Sequence, residues 1–219
     1  MKREKYYLPF YVDADINYLY LFSLLELAEY DAVSKSYSII KYKSQSDLCK
    51  FMGISSATLQ RIITNPAYEK YFSCDTKQKE IVMKTSFSNS NKEKNPPFIM
   101  FTQDEISFLR ERKDNLLCKY HAYIKFYCGF SSATGSVQDF TIKQFLSAIG
   151  YCSNSKSYEN KILNYNKLLL EAGFISIKKY RDELGHTRNI YAYNDKKESK
   201  KQRPITPISF SNSKDGFVF

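Results

Sequence analysis

The chain is short of the pieces that most enzymes need. It has two histidines, His121 and His186, and only seven glycines in 219 residues. It has no glycine-rich phosphate loop, no Ser-His-Asp grouping and no HExxH stretch. These absences point away from catalysis and toward binding, with no cofactor and no metal expected. Cys118 and His121 stand three apart on an expected helix, with Cys128 beyond, but no second ligand pair follows at zinc-finger spacing. Long apolar runs are missing too, which excludes an ordinary membrane-spanning helix. The opening MKREKYYLPF has neither the apolar core nor the cleavage site of a secretion signal. The five cysteines are odd in number and form no CxxC, which suits reduced thiols in a cytoplasmic protein. With six prolines and seven glycines, long disorder in the middle of the chain is not expected.

Positive charge is what the chain has in excess. The net charge is +10, and it is uneven. Residues 141–203 carry 13 basic and 6 acidic residues. A local positive field attracts polyanions and speeds their association. A plain basic surface is the competing explanation.

The chain states one plan twice. In the first half an apolar extended stretch, YYLPFYV (6–12), precedes a helix over DADINYLYLFSLLELAEY, capped by Asp13 or Asp15, with Ile16, Leu19, Phe22 or Ser23, and Leu27 or Glu26 on one face. A polar stretch leads to Ser44. After it come two short helices and two β-prone arms, around Tyr71–Cys74 and Glu80–Lys84. In the second half PFIMF (97–101) is the extended stretch. The spacing predicts one helix from Thr102 to Gly129, opened by a Thr102/Glu105 capping box, with Ile106, Leu109, Leu116, Tyr120, Tyr123 or Ile124, and Tyr127 on one stripe. Residues 15–19 align with 105–109 in this reading. Helices over Thr141–Ile149 and Ser157–Ala172 follow, then arms Phe174–Tyr180 and Arg188–Tyr193. Between the halves, SFSNSNKEKNPP (86–97) is polar and closed by two prolines, as a linker would be. The expected organisation is therefore 1–85, a linker at 86–97, a second domain at 98–194, and a basic tail at 195–219. The fold class expected is mostly α with some β (α+β).

Within SQSDLCKFMGISSATLQRII (44–63) the apolar phase changes at Gly53-Ile54-Ser55. Ser44 caps a helix carrying Leu48, Phe51 and Met52 inward. Gly53 ends it in a left-handed turn, Ile54 drops between the helices, and Ser55 caps the next. Leu59, Ile62 and Ile63 face back, leaving Ser56, Ala57, Gln60, Arg61 and Thr64 outward. Two short helices joined at a steep angle form a helix-turn-helix. Setting Gly150 on Gly53 places Thr141 on Ser44, Phe145 on Leu48 and Ile149 on Met52, across a longer turn.

GISSATLQRII resembles the helix-turn-helix of bacterial DNA-binding proteins, with Gly53, Ile54, Ser55, Thr58, Leu59, Arg61 and Ile62 in the expected places. The hairpin that follows makes it similar to the winged form, and TIKQFLSAIG with SYENKILNYNKLLLEAGFISI repeats the pattern. The resemblance covers roughly residues 6–193. It implies two winged helix-turn-helix domains, each of three helices and a β-hairpin wing. Tandem winged helices preceded by an apolar strand resemble replication initiators of plasmids and mobile elements in Gram-positive bacteria, and related primosome-type proteins.

On this reading the partner is double-stranded DNA. In the second unit Ser157, Asn160, Lys161, Asn164 and Lys167 share one helix face, opposite Ile162, Leu169 and Ala172. Asparagine pairs with adenine edges, and lysine with guanine or phosphate. Lys178, Lys179, Arg181, His186 and Arg188 lie on the second wing, within reach of backbone or minor groove. In the first unit only Gln60 and Arg61 have reach beside Ser56. A solvated helix face and a soluble hairpin are the alternative. The N-terminal strand pairs with a second copy to form a homodimer, or packs on its own domain. Lys196, Lys197, Lys200, Lys201 and Arg203 form a polyanion-binding or solubilising tail, and the terminal DGFVF is a docking motif for replication proteins or a cover for an apolar patch. The expected function is sequence-specific DNA binding that initiates replication. A transcriptional regulator, or a winged-helix interaction module without DNA binding, are the rivals.

Overall fold

The structure, a computed structural model, describes residues 5–11, 15–31, 36–84, 98–129, 138–181 and 187–193. The first half runs β1 (Lys5–Pro9), α1 (Tyr18–Leu27), β2 (Glu29–Asp31), β3 (Ser36–Lys41), α2 (Gln45–Met52), α3 (Ser56–Thr64), a 3-10 turn (Pro66–Lys70), β4 (Phe72–Asp75) and β5 (Glu80–Met83). The second half runs β6 (Phe98–Thr102), α4 (Gln103–Arg112), α5 (Asn115–Gly129), β7 (Gln138–Asp139), α6 (Ile142–Ala148), α7 (Lys156–Glu171), β8 (Ile175–Arg181) and β9 (Thr187–Tyr193). The fold is mixed α+β with small antiparallel sheets. No helix among the described residues is long and apolar enough to cross a membrane. The expected linker at 86–97 and tail at 195–219 lie outside the described residues.

The repeat is visible in topology. Each half contains a helix, a strand, two further helices and a hairpin, and that strand (β3, β7) pairs with the second arm of the hairpin, the first half adding β2 on the outer side of β3. The sheet orders are β2-β3-β5-β4 and β7-β9-β8. The same local chemistry sets both corners. Ser44 accepts a bond from the Asp47 N–H, and Thr141 accepts one from the Gln144 N–H. Gly53 and Gly150 have φ of +64° and +74°. The N–H after each glycine returns to a carbonyl five residues back, Ile54 to Cys49 at 3.0 Å and Tyr151 to Leu146 at 2.8 Å. This is the glycine helix stop, which satisfies carbonyls the helix end leaves open. Leu48, Cys49 and Met52 are buried in one corner, and Phe145, Leu146 and Ile149 in the other.

Several expectations need correction. Phe51 is 46% exposed; with Leu48, Cys49 and Met52 inward, it falls on the flank of the helix. The helix from Thr102 to Gly129 is two helices. Lys113 takes a left-handed φ of 51°. Asp114 then caps α5, its Oδ1 accepting from the Leu116 N–H at 3.0 Å and Leu117 N–H at 3.4 Å. By topology α1 therefore corresponds to α5, and α4 is extra, so residues 15–19 do not align with 105–109. Asn17 rather than Asp15 caps α1 by accepting from the Leu19 N–H, and Asp13 lies outside the described residues. The polar stretch before Ser44 contains β2 and β3.

The expected single apolar stripes on α1 and α5 are also too narrow. Tyr18, Leu21, Phe22, Leu24 and Leu25 are all buried on α1, and 116–125 is buried throughout on α5. A helix buried on all sides stands in the middle of a core. α1 packs against α5, α4, α2 and β3.

β1 finds its partner within the chain. It pairs antiparallel with β6, Tyr7 opposite Met100. Around this joint Phe10 stacks on Phe126 at 4.2 Å and Phe22 meets Phe101 edge-on at 5.0 Å. The Asn115 side chain accepts from the Tyr18 N–H at 2.8 Å and donates to the Ile16 carbonyl at 3.0 Å. Glu26 pairs with Arg110 and accepts from Gln103. The buried apolar residues of both halves belong to one continuous cluster.

Candidate nucleic-acid interface

α7 has one buried side and one open side. Ile162 and Leu169 are fully buried, with Tyr165 and Asn166 nearly so, while Ala172 is half-buried. Ser157, Asn160, Asn164 and Lys167 are exposed along the opposite side. These four expected contacts therefore share one outward surface. The helix is separate from α6, with 149–155 between them.

Polar anchors fix how α7 is turned. Asn166 accepts from the Tyr120 hydroxyl at 2.7 Å and donates to the Tyr191 hydroxyl at 3.3 Å, joining α7 to α5 and β9. Both buried amide functions are thus satisfied, as burial demands. Asp114 at the start of α5 accepts from the Tyr165 hydroxyl and from Lys161 Nζ at 3.1 Å. Burial opposes the charge on Asp114, but bonds from Tyr165 and Lys161 outweigh it and hold the carboxyl below its ordinary range. Lys161 is the one expected contact of this helix drawn to its edge. Sequence reasoning missed Asp114 and Asn166. The signal for Asp114 was a capping residue near the end of the six-residue polar run 110–115, which interrupts the apolar residues of the expected helix.

The hairpin beyond α7 supplies cations. Lys178, Lys179 and Arg181 are exposed on β8. Lys179 and Arg181 follow Ile175 and Ile177 on one face of the strand, so a face buried at its base becomes cationic toward the hairpin end. Arg188 lies on β9, its backbone opposite Tyr180. His186 lies outside the described residues.

In the first half Ser56, Gln60 and Arg61 are exposed on α3, with Leu59 and Ile62 buried behind them. Ile54 and Ile63 are half-buried. The Arg61 guanidinium donates to Thr58 Oγ1 at 3.2 Å, along its own helix. The outward surface of α3 is small and polar, and that of α7 offers longer side chains.

A buried charged cluster lies behind the second hairpin. Glu105, on α4, accepts from Lys125 Nζ at 2.8 Å on both oxygens. It also meets His121 Nε2 at 2.6 Å and the Tyr193 hydroxyl at 3.0 Å. Its Oε2 caps the Thr102 N–H at 2.7 Å. Burial opposes the Glu105 charge, yet the bonds from His121 and Lys125 and their charge hold it well below the usual carboxylate range. Burial pushes the His121 ring below its ordinary range, against the pull of Glu105. Its Nε2 faces Glu105, and the buried Nδ1 has no hydrogen-bond partner among the described residues. Cys118 and Cys128 are buried, and the Cys128 thiol donates to the Tyr191 carbonyl at 3.3 Å. All five cysteines are free thiols.

No protein-family model, curated protein or solved structure matches the chain.

Proposed function

We propose that the chain folds as two winged helix-turn-helix units and binds double-stranded DNA in a sequence-specific way. The observation that carries this reading is α7 itself. Its buried side is locked by Asn166, Ile162 and Leu169, and its open side offers Ser157, Asn160, Asn164 and Lys167 at helical spacing. A helix held in that way can lie in a major groove, with amides and an ammonium directed at base edges. Lys178, Lys179 and Arg181 on the neighbouring strand then meet phosphates, which fix register without reading sequence. The net charge of +10 supports a polyanionic partner.

The biological role proposed is replication initiation on a plasmid or mobile element. Support comes from the doubled helix–strand–helix–helix–hairpin topology and from the apolar strand ahead of each copy. The recognition helices would engage repeated origin sites, and the bound protein would recruit replication proteins.

The test is a titration of the full chain with duplexes selected from a random pool, repeated at several salt concentrations. Several phosphate contacts predict a linear fall of log affinity with log salt. Weak binding that ignores sequence would instead point to an interaction module. Mapping the selected site to a replication origin or to a promoter separates initiation from transcriptional regulation.

A further inference from the structure

We infer that the open side of α7 is built to read A·T base pairs, Asn160 and Asn164 taking adenine edges while Leu163 packs on a thymine methyl. This rests on the proposed DNA binding and names the class of site it would select.

Asn160, Leu163, Asn164 and Lys167 stand at i, i+3, i+4 and i+7, so they form one contiguous patch. Leu163 is 43% exposed in the middle of it. Both asparagines are exposed, and neither amide is engaged by another described residue. That sets them apart from Asn166, six residues and two residues along, whose amide is spent on Tyr120 and Tyr191. It sets them apart from Lys161, which is drawn to Asp114.

The chemistry of the patch discriminates among base pairs. A carboxamide matches the N6 and N7 edge of adenine with two bonds. The apolar feature of the major groove is the thymine methyl, and it belongs to the same pair. Guanine is met by arginine or lysine; no arginine is on this patch, and its one lysine, Lys167, stands at the end away from Asn160, so a guanine contact would fall only at that edge of the site. Cytosine offers a donor that calls for a carboxylate; the nearest is the exposed Glu159, which borders the patch one turn before Leu163 and lies off the line of Asn160, Asn164 and Lys167. Glu171 falls on the same outward line at the last turn, where it would repel phosphate, so the reading segment ends before it. Lys156 at the start of the helix and Lys178, Lys179 and Arg181 on β8 give the surroundings the positive charge that a duplex requires. That complementarity favours a duplex over an apolar protein partner as the occupant of the leucine.

The experiment uses the full chain. Duplexes selected from a random pool are expected to hold adjacent A·T pairs at the centre of the site. Replacing single thymines by uracil removes only the methyl. At the contacted position binding should weaken about fourfold, the worth of one buried methyl. Leu163→Ala should erase that difference, and Asn164→Ala should flatten the adenine preference at the neighbouring pair. Leu163 is exposed, so its variant should keep the wild-type unfolding midpoint. Tight, sequence-selective binding with no uracil effect, or with selected sites made of G·C pairs, overturns this inference and leaves DNA binding intact. Retention of the uracil effect in Leu163→Ala also overturns it. Failure to bind any duplex overturns both.

Discussion

Lys161 Nζ lies 3.1 Å from Asp114 Oδ2, so a lysine at the edge of α7 is tied back to the residue that caps α5. The bond removes one cation from the face that Asn160 and Asn164 share. Lys161→Ala should therefore leave sequence preference unchanged. Asn164→Ala should shift preference among sites by ~1–3 kcal/mol, the worth of a bidentate base contact. Competition binding with a panel of single-base variants separates the two, and equal effects would remove α7 as the reader.

Asp114 holds more than this lysine. It caps α5 and accepts from Tyr165. Asp114→Ala should cost about 2 kcal/mol, the sum of a lost cap and a lost hydrogen bond. Urea unfolding should show a lower midpoint, and an unmoved midpoint would mean that the clamp contributes nothing.

Arg181 is exposed near the hairpin end, where a phosphate contact carries no sequence information. Arg181→Ala should weaken all duplexes about equally and reduce the salt slope by about one. A change confined to one sequence would instead place Arg181 at a base.

The Glu105 cluster predicts acid sensitivity in two stages. The folded His121 binds its proton less readily than at the ordinary 6.5, so stability falls as pH drops below that value. The folded carboxyl of Glu105 is depressed from 4.5, so its contribution is present above 4.5 and is lost as pH falls further. His121→Gln should remove the first stage, shrinking the difference between unfolding midpoints at about pH 7.5 and about pH 5.5. Glu105→Gln should cost about 3–5 kcal/mol because Lys125 is left buried without its carboxylate. Adding Lys125→Met should recover much of that loss.

Gly53 has φ +64°, and a Cβ placed there would meet nothing within 4 Å. Substitution is thus a backbone effect alone. Gly53→Ala should destabilise by about 1 kcal/mol, and Gly53→Asn by less. Thermal unfolding of both variants checks the order.

The corners of the fold were legible because their signals are local. A capping hydroxyl, an apolar pair and a left-handed glycine lie within ten residues of one another at Ser44–Gly53 and Thr141–Gly150. The outward face of α7 was legible for the same reason, since helical spacing alone separates Asn160 and Asn164 from Ile162 and Leu169. What was hidden depends on distant partners. β2 and β3 follow no strong alternation, and β3 is held by β5, roughly forty residues on. The break at Lys113 was hidden because Leu109 and Leu116, two turns apart, keep one helical phase across the polar run 110–115. Phe51 was misplaced because a helix of eight residues gives too few positions to fix its inward side. Asn166 looked like any other asparagine until Tyr120 and Tyr191 closed around it.

The pairing of β1 with β6 makes the two halves interdependent in a way their doubled sequence conceals. Residues 5–9 complete a sheet whose other strand belongs to residues 98–102. Melting should accordingly be a single cooperative event, with no plateau in which one half survives. A protease cut anywhere in 85–97 should leave two fragments that copurify, because the first strand stays hydrogen-bonded to the far side of the nick.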